Sequence, residues 1–233
     1  MSENKTLSKE YTEIKTASLF DFSQTLAAPL LARHEYPWTV LAEIGDFIRE
    51  TGRGLGDDYQ EIKPEVWVHK TCKIAPTADI TAPCIIGAAT EVRPGAFIRG
   101  KALIGENCVI GNSTELKNVI ISNNVQVPHY NYVGDSILGY KSHMGAGSIT
   151  SNVKADRSLV TVNLPSGEKI PTGCKKFGAM LGNGVEVGCN AVLNPGSIIC
   201  AGSTVYPLTS VRKVVAPGSI CKQDGTTVVK EVR

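Results

Sequence analysis

From Ile74 onward an aliphatic residue recurs at every sixth position: Ile74, Ile80, Ile86, Val92, Ile98, Ile104, Ile110 and Leu116. The same phase returns as Ile121, Val127 and Val133, then as Leu138 and Met144, and after a longer break as Leu181, Val187, Leu193, Ile199, Val205 and Val211. A period of six fits neither an amphipathic helix nor an alternating strand. Written as hexads, IGAATE, VRPGAF, IGENCV, IGNSTE, VGCNAV and LNPGSI share an aliphatic first residue, often a glycine second and usually a small fifth. This pattern predicts a hexapeptide β-helix, in which each hexad supplies a short strand and a turn, three hexads close one coil, and equivalent positions stack at strand spacing. The aliphatic residues then form one continuous core. The fifth position points inward where the prism narrows, which assigns Ala78, Cys84, Ala96 and Cys108 to packing.

Residues 1–65 lack the repeat. Pro37 at a first helical position, with Trp38, Leu41, Ile44 and Ile48 on one face and Gly52 beyond them, predicts a helix of about 14 residues. Leu26, Leu30 and Leu31 predict a second, shorter one. The segment reads as an N-terminal helical cap that covers the first coil of a β-helix domain spanning residues 66–233, because solenoid ends must be hidden. GRGLG at Gly52–Gly56 follows a helix and is not followed by GK[ST], so it reads as a helix-ending turn rather than a phosphate loop. Residues 152–180 interrupt the phase with Lys154, Arg157, Lys169, Lys175 and Lys176, which predicts an irregular, extended loop of the functional kind.

Composition narrows the classes. In 233 residues, 24 Lys and Arg face 22 Asp and Glu, and this near-balance offers no footprint for nucleic acid or an acidic partner. The first 20 residues hold no basic stretch followed by an apolar core, and no run approaches the roughly 18 apolar residues of a membrane span, so a cytoplasmic protein without a membrane partner is expected. Seven cysteines form an odd set with no CxxC pair, against both a disulfide framework and a zinc ribbon. No metal is expected.

Five stretches in order carry a more specific signal: VRPGAFIRG from Val92, ELKN from Glu115, HYNYVGDSILG from His129, MGAGSITSN from Met144 and KKFGAMLGNGVEVGCNAVLNPG from Lys175. Over roughly residues 73–221 the chain resembles the C-terminal acetyltransferase domain of the bifunctional enzymes that make UDP-N-acetylglucosamine, together with their archaeal sugar-phosphate relatives. The resemblance implies a left-handed parallel β-helix, acetyl-CoA as co-substrate, and a homotrimer with active sites shared between chains. The implied activity is N-acetylation of an amino-sugar 1-phosphate, with glucosamine 1-phosphate the leading candidate, and no metal is needed for the acetyl transfer.

On the same resemblance His129 is the catalytic base, a task that suits an imidazole because its pKa lies close to the working pH. Arg93, Lys117 and Tyr132 match positions that hold the sugar phosphate, Glu115 orients a neighbouring group, and His143 stands at a sugar-contacting position. Ala146, Asn152, Val153 and Cys189 match the acetyl-CoA groove, with backbone N–H groups near Gly145 to Gly147 as donors to the developing oxyanion.

Two positions depart from the family. His143 replaces an asparagine usual in the bacterial enzymes, and Ser158 falls near a lysine expected after Asn152, with Lys154 or Arg157 as substitutes for its charge. No glycine-rich nucleotidyltransferase loop precedes the repeat, so no uridylyltransferase activity is expected. The departures leave open a non-catalytic sugar-phosphate-binding or regulatory module on the same fold. A carbonic anhydrase would need three imidazoles converging on zinc, whereas the repeat supplies only His129 and His143, with His69 just before it.

Overall fold

The corners of the coils turn on residues in the left-handed backbone region, and these recur with the repeat. Ala89, Gly95, Lys101, Asn107, Ser113, Asn118, Asn124, Tyr130, Asp135, Lys141 and Gly147 all have positive φ, and the non-glycine members lie between 49° and 60°. In the computed structural model, which describes residues 11–231, these turns wind the chain into a left-handed parallel β-helix with three faces.

Face I stacks the strands Val66–His69, Cys84–Ile86 and Ala102–Ile104, the second halves of Glu115–Ile121 and Tyr132–Leu138, and then Ala179–Leu181, Ser197–Ile199 and Val214–Val215. Face II runs through Glu91, Val109, Gln126, His143, Glu186 and Thr204. Face III runs through Phe97, Glu115, Tyr132, Ile149, Val192 and Ser210. All these pairs are parallel, and the six-residue aliphatic positions line a single internal core with Cys84, Ala96 and Cys108 fully inside it. Two coils are one residue short. The turn residues step by five rather than six from Ser113 to Asn118 and from Tyr130 to Asp135, at the corner between faces III and I.

The helical segment is arranged differently from an end cap. The predicted helix is broken into a 3-10 turn, Pro37–Ala42, and an α-helix, Ile44–Arg53, at Glu43, whose carboxylate engages Arg33 and His34. The shorter helix is Ala28–Leu31, and Gly54 ends Ile44–Arg53 as expected of the GRGLG turn. Tyr59–Lys63 is not helical but a strand, antiparallel to Val66–His69, and it closes the open edge of the first coil. The helices themselves lie along face I. Trp67, Ile85, Leu103, Ile120, Ile137, Met180, Ile198 and Val214 point outward from successive rungs into a second core with Leu30, Leu31, Val40, Leu41, Ile44 and Ile48. Face I is therefore apolar on both sides, which is why its strands read VWV, CII, ALI, VII, SIL and AML. A solvent-facing ridge of that kind has to be covered, and the N-terminal segment covers it.

The segment at 152–180 also departs from an extended polar loop. Thr161–Asn163 and Lys169–Pro171 form an antiparallel hairpin whose Val162 and Ile170, with Val160, Leu164 and Phe177, join the second core. Phe177 stacks on Trp38 with ring centroids 6.0 Å apart. The hairpin passes so close to the prism that a Cβ on Gly196 would lie 2.5 Å from the Thr161 carbonyl oxygen, and Gly196 itself has φ +82°.

Candidate active site

Stacking converts sequence offsets into columns. The residue two past the internal aliphatic of face II lies at the edge between faces II and III, and on successive rungs this is Asn112, His129, Ala146 and Cys189. Backbone bonds confirm the column: Tyr130 N–H donates to the Asn112 carbonyl, Gly147 to His129, Asn190 to Ala146 and Leu208 to Cys189. His129 and the groove positions Ala146 and Cys189 are thus brought into one line along the prism axis, at about 4.8 Å per rung. The His129 side chain is exposed, and the residue's backbone N–H donates to Asn131 Oδ1 at 3.0 Å. Asn131 is itself anchored, its amide donating to the Gly145 and Ser148 carbonyls of the next rung.

Of the backbone N–H groups at 145–147, where oxyanion donors are expected, two are already taken. Gly145 N–H is spent on the Val187 carbonyl and Gly147 N–H on that of His129. The Ala146 N–H, at the centre of that stretch, and the Cys189 N–H in the same edge column have no acceptor among the described residues. They are the free donors beside His129.

Face III carries a polar patch. Glu115 lies directly beside Tyr132, and Lys117 beside Gly134, on adjacent rungs. Lys117 Nζ is 3.6 Å from Asp135 Oδ2, and the Asp135 side chain is only 7% exposed. Asn118 Nδ2 donates to Asp135 Oδ1 at 2.9 Å, and Asn152 Nδ2 donates to both Asp135 Oδ2 and, at 3.1 Å, the Tyr132 hydroxyl. Tyr132 lies across Gly134, where a Cβ would come within 2.4 Å of the phenol oxygen. Burial, reinforced by the Asp135 and Glu115 carboxylates, raises the Tyr132 pKa, so its proton is retained and free to donate. Lys117, Tyr132 and Asn152 are brought together, and Asp135 is the hub that sequence reasoning left unassigned. Its signal was available in VGDSILG: an acidic residue at a turn position facing a predicted lysine.

Arg93 does not join them. It extends from face II, where its Nε pairs with Glu91 at 3.2 Å. The arginine stacked one rung above Lys117 is Arg99, whose Nη1 meets Glu115 at 2.6 Å and whose guanidinium lies 5.8 Å from the Phe97 ring centroid. The resemblance assigns the phosphate to Arg93 of the VRPG motif, while within one chain the arginine beside Lys117 is Arg99. His143 lies at the far end of face II, with Nδ1 2.8 Å from Glu186, lining a cavity of about 350 Å³. Within one chain it is separated from Lys117 by the width of a face. His69 lies on the first coil against Tyr59, and among the described residues no group of three His, Cys, Asp or Glu side chains is placed to hold a metal ion.

Val153 is exposed at the start of the inserted loop. Lys154 Nζ is tied to the Ser158 hydroxyl at 2.6 Å, and Ser158 in turn to Asp156, so the position where a lysine was expected is bound into the loop. No helix among the described residues is long and apolar enough to cross a membrane.

The chain is 30% identical over 190 residues to a bifunctional sugar-1-phosphate nucleotidylyltransferase/acetyltransferase of Sulfurisphaera tokodaii, covering 80% of this chain and 47% of that protein. It is 38% identical over 179 residues to the bifunctional protein GlmU of Methanococcus aeolicus, covering 69% of this chain and 43% of that protein. The chain spans about half the length of the curated relatives it matches. Among solved structures, a hexapeptide transferase family protein from Anaplasma phagocytophilum aligns over 72% of this chain and 81% of its own, at 21% identity and a TM-score of 0.41. The family model described as the GMPPB C-terminal domain matches residues 80–220, more than half of the sequence, and the chain belongs to that family.

Proposed function

We propose that this protein is an acyltransferase that moves acetyl from acetyl-CoA to the amine of an amino-sugar 1-phosphate, with glucosamine 1-phosphate as the leading acceptor, in sugar-nucleotide synthesis. The observation that carries the reading is the pairing of two features along face III: the His129–Ala146–Cys189 column at one edge and the Lys117–Tyr132–Asp135–Asn152 patch near the other. The relatives' printed activities point the same way.

Acetyl-CoA supplies an activated acetyl group. The small side chains and outward N–H groups of Ala146 and Cys189 fit a thioester chain lying along the column, and these N–H groups would stabilise charge developing on the carbonyl oxygen. Lys117 and Arg99 supply cationic donors for the acceptor's phosphate, and the Tyr132 hydroxyl donates to it or to the sugar. His129 takes the proton from the acceptor amine as the C–N bond forms and the C–S bond breaks, and the departing thiolate takes up a proton. Positioning supplies much of the rate.

His143 lies a face away from Lys117 within one chain, and a C3 homotrimer with shared active sites, as the resemblance implies, would bring a neighbouring subunit's residues to this site. Thiol release from acetyl-CoA, measured with amino-sugar 1-phosphates against free and UDP-linked amino sugars in wild type and His129→Ala, tests the proposal. Turnover that requires the 1-phosphate and is lost in the variant supports it. Ligand binding without turnover for any acceptor overturns it in favour of a binding module.

A further inference from the structure

Two joined cavities open on face III, below the patch just described. One, of about 430 Å³, is lined by Ser151, Lys154, Asp156, Asn194 and Arg212, together with Val153, a position expected in the acetyl-CoA groove. The other, of about 200 Å³, shares Lys154, Asn194 and Arg212 and adds Asn163 and Lys169. Arg212 occupies the same outward column as Lys117, through Gly134, Ser151 and Asn194, and so lies about 19 Å further along the prism.

The charge here is unbalanced. Lys169 and Arg212 have no ion-pair partner among the described residues, and the one lining carboxylate, Asp156, accepts from the Ser158 N–H and hydroxyl and lies 3.9 Å from Lys154. Three cations come from three separate pieces of chain: the loop, the hairpin and a late coil. Asn163 Nδ2 donates to the Arg212 carbonyl at 2.8 Å and fixes the hairpin over that coil. Like charges held together around a shared space favour an anion that spans them. A guanidinium between two cavities matches a ligand with a phosphate in each.

We propose that the joined cavities form a second anion site, distinct from the Arg99–Lys117 patch, that binds a ligand carrying at least two linked phosphates. Two sources share that chemistry, the phosphorylated end of a CoA thioester and a free nucleoside diphosphate. The first rests on the acetyltransferase reading above; the site itself does not.

Calorimetric titration of the full chain with inorganic pyrophosphate tests it. Both key side chains are exposed, so a Lys169→Ala/Arg212→Ala variant keeps its fold, which an unchanged thermal melt verifies. The expected result is a binding event that weakens about a hundredfold in that variant, about tenfold for each charge-assisted contact, and survives in Arg99→Ala/Lys117→Ala. Absence of pyrophosphate binding, or equal binding by wild type and the Lys169/Arg212 variant, overturns the site. Competition for the event by CoA assigns it to the acyl donor and competition by UDP alone assigns it to a free nucleotide, both in support; competition by neither overturns it. The anion site is read by titration and the acetyltransferase by thiol release, so each can fail alone.

Discussion

The Asn152 amide reaches back one rung to the Asp135 carboxylate, which the Asn118 amide reaches from the rung on the other side. The three side chains stack at the corner where two coils are each one residue short, and the carboxylate they enclose also holds Lys117. A buried acceptor shared among three donors sets the positions of all of them.

Asp135→Ala leaves the Asn118 and Asn152 amides without that acceptor and Lys117 without its counter-charge. A loss of about 1–3 kcal/mol in urea unfolding is expected, with a rise of about tenfold in acceptor KM. Asp135→Asn should recover most of the stability and less of the KM. Equal recovery of both would remove the positioning role.

Arg99 and Arg93 separate the two ways of reading the chain. Because Arg99 stacks on Lys117, Arg99→Ala should raise the acceptor KM about tenfold, whereas Arg93 lies on face II against Glu91 and Arg93→Ala should raise it less. In a variant held monomeric by interface mutations, phosphate-analogue binding should respond to Arg99 and not to Arg93. A response to Arg93 alone would restore the sequence order.

Leu103 and Ile120 point out of face I into the second core, both fully buried. Leu103→Ala should cost about 2–5 kcal/mol. Ile120→Asp should release the N-terminal segment, read as new protease cleavage between residues 20 and 60 while the parallel-sheet circular dichroism persists. Cleavage within the coils instead would show that the strap and prism unfold as one unit.

The cysteines differ sharply in accessibility. Burial pushes the Cys108 and Cys200 thiols up to about 12, so that roughly one in ten thousand is ionised at pH 8, while Cys189 is exposed in the edge column. Iodoacetamide mapping should label Cys189 first, and acetyl-CoA should slow that labelling. The buried thiols also set a sign for alkaline stability. Their folded pKa values lie above the unfolded value of 9.0, so their stabilising contribution is intact below pH 9 and is lost as pH rises from about 9 towards 12. A melting temperature that fell only below pH 9 would contradict this.

Much of the fold was legible because stacking leaves a one-dimensional trace. An inward position in a coil of three hexads must be aliphatic every sixth residue, and Ile74 through Leu116 obey that without exception. Less of the site was legible. His129, Ala146 and Cys189 lie in one column because their offsets from Val127, Met144 and Val187 are equal, which is visible in sequence once the coil is known. The contacts of Asp135, the place of Arg99 beside Lys117, and the face covered by the helices depend on which turn meets which across a corner.

By itself, then, the sequence determined the prism, its internal core and the approximate place of the insertion, because these follow from periodicity along the chain. Only the tertiary structure decided that the helices and the hairpin share a second core on face I, and that cations from the loop, the hairpin and a late coil face one cavity. Those arrangements bring together residues far apart in sequence, Trp38 stacked on Phe177 and Lys154 lining one cavity with Arg212, where no repeat spacing encodes the partner and only the volume left outside the prism selects it.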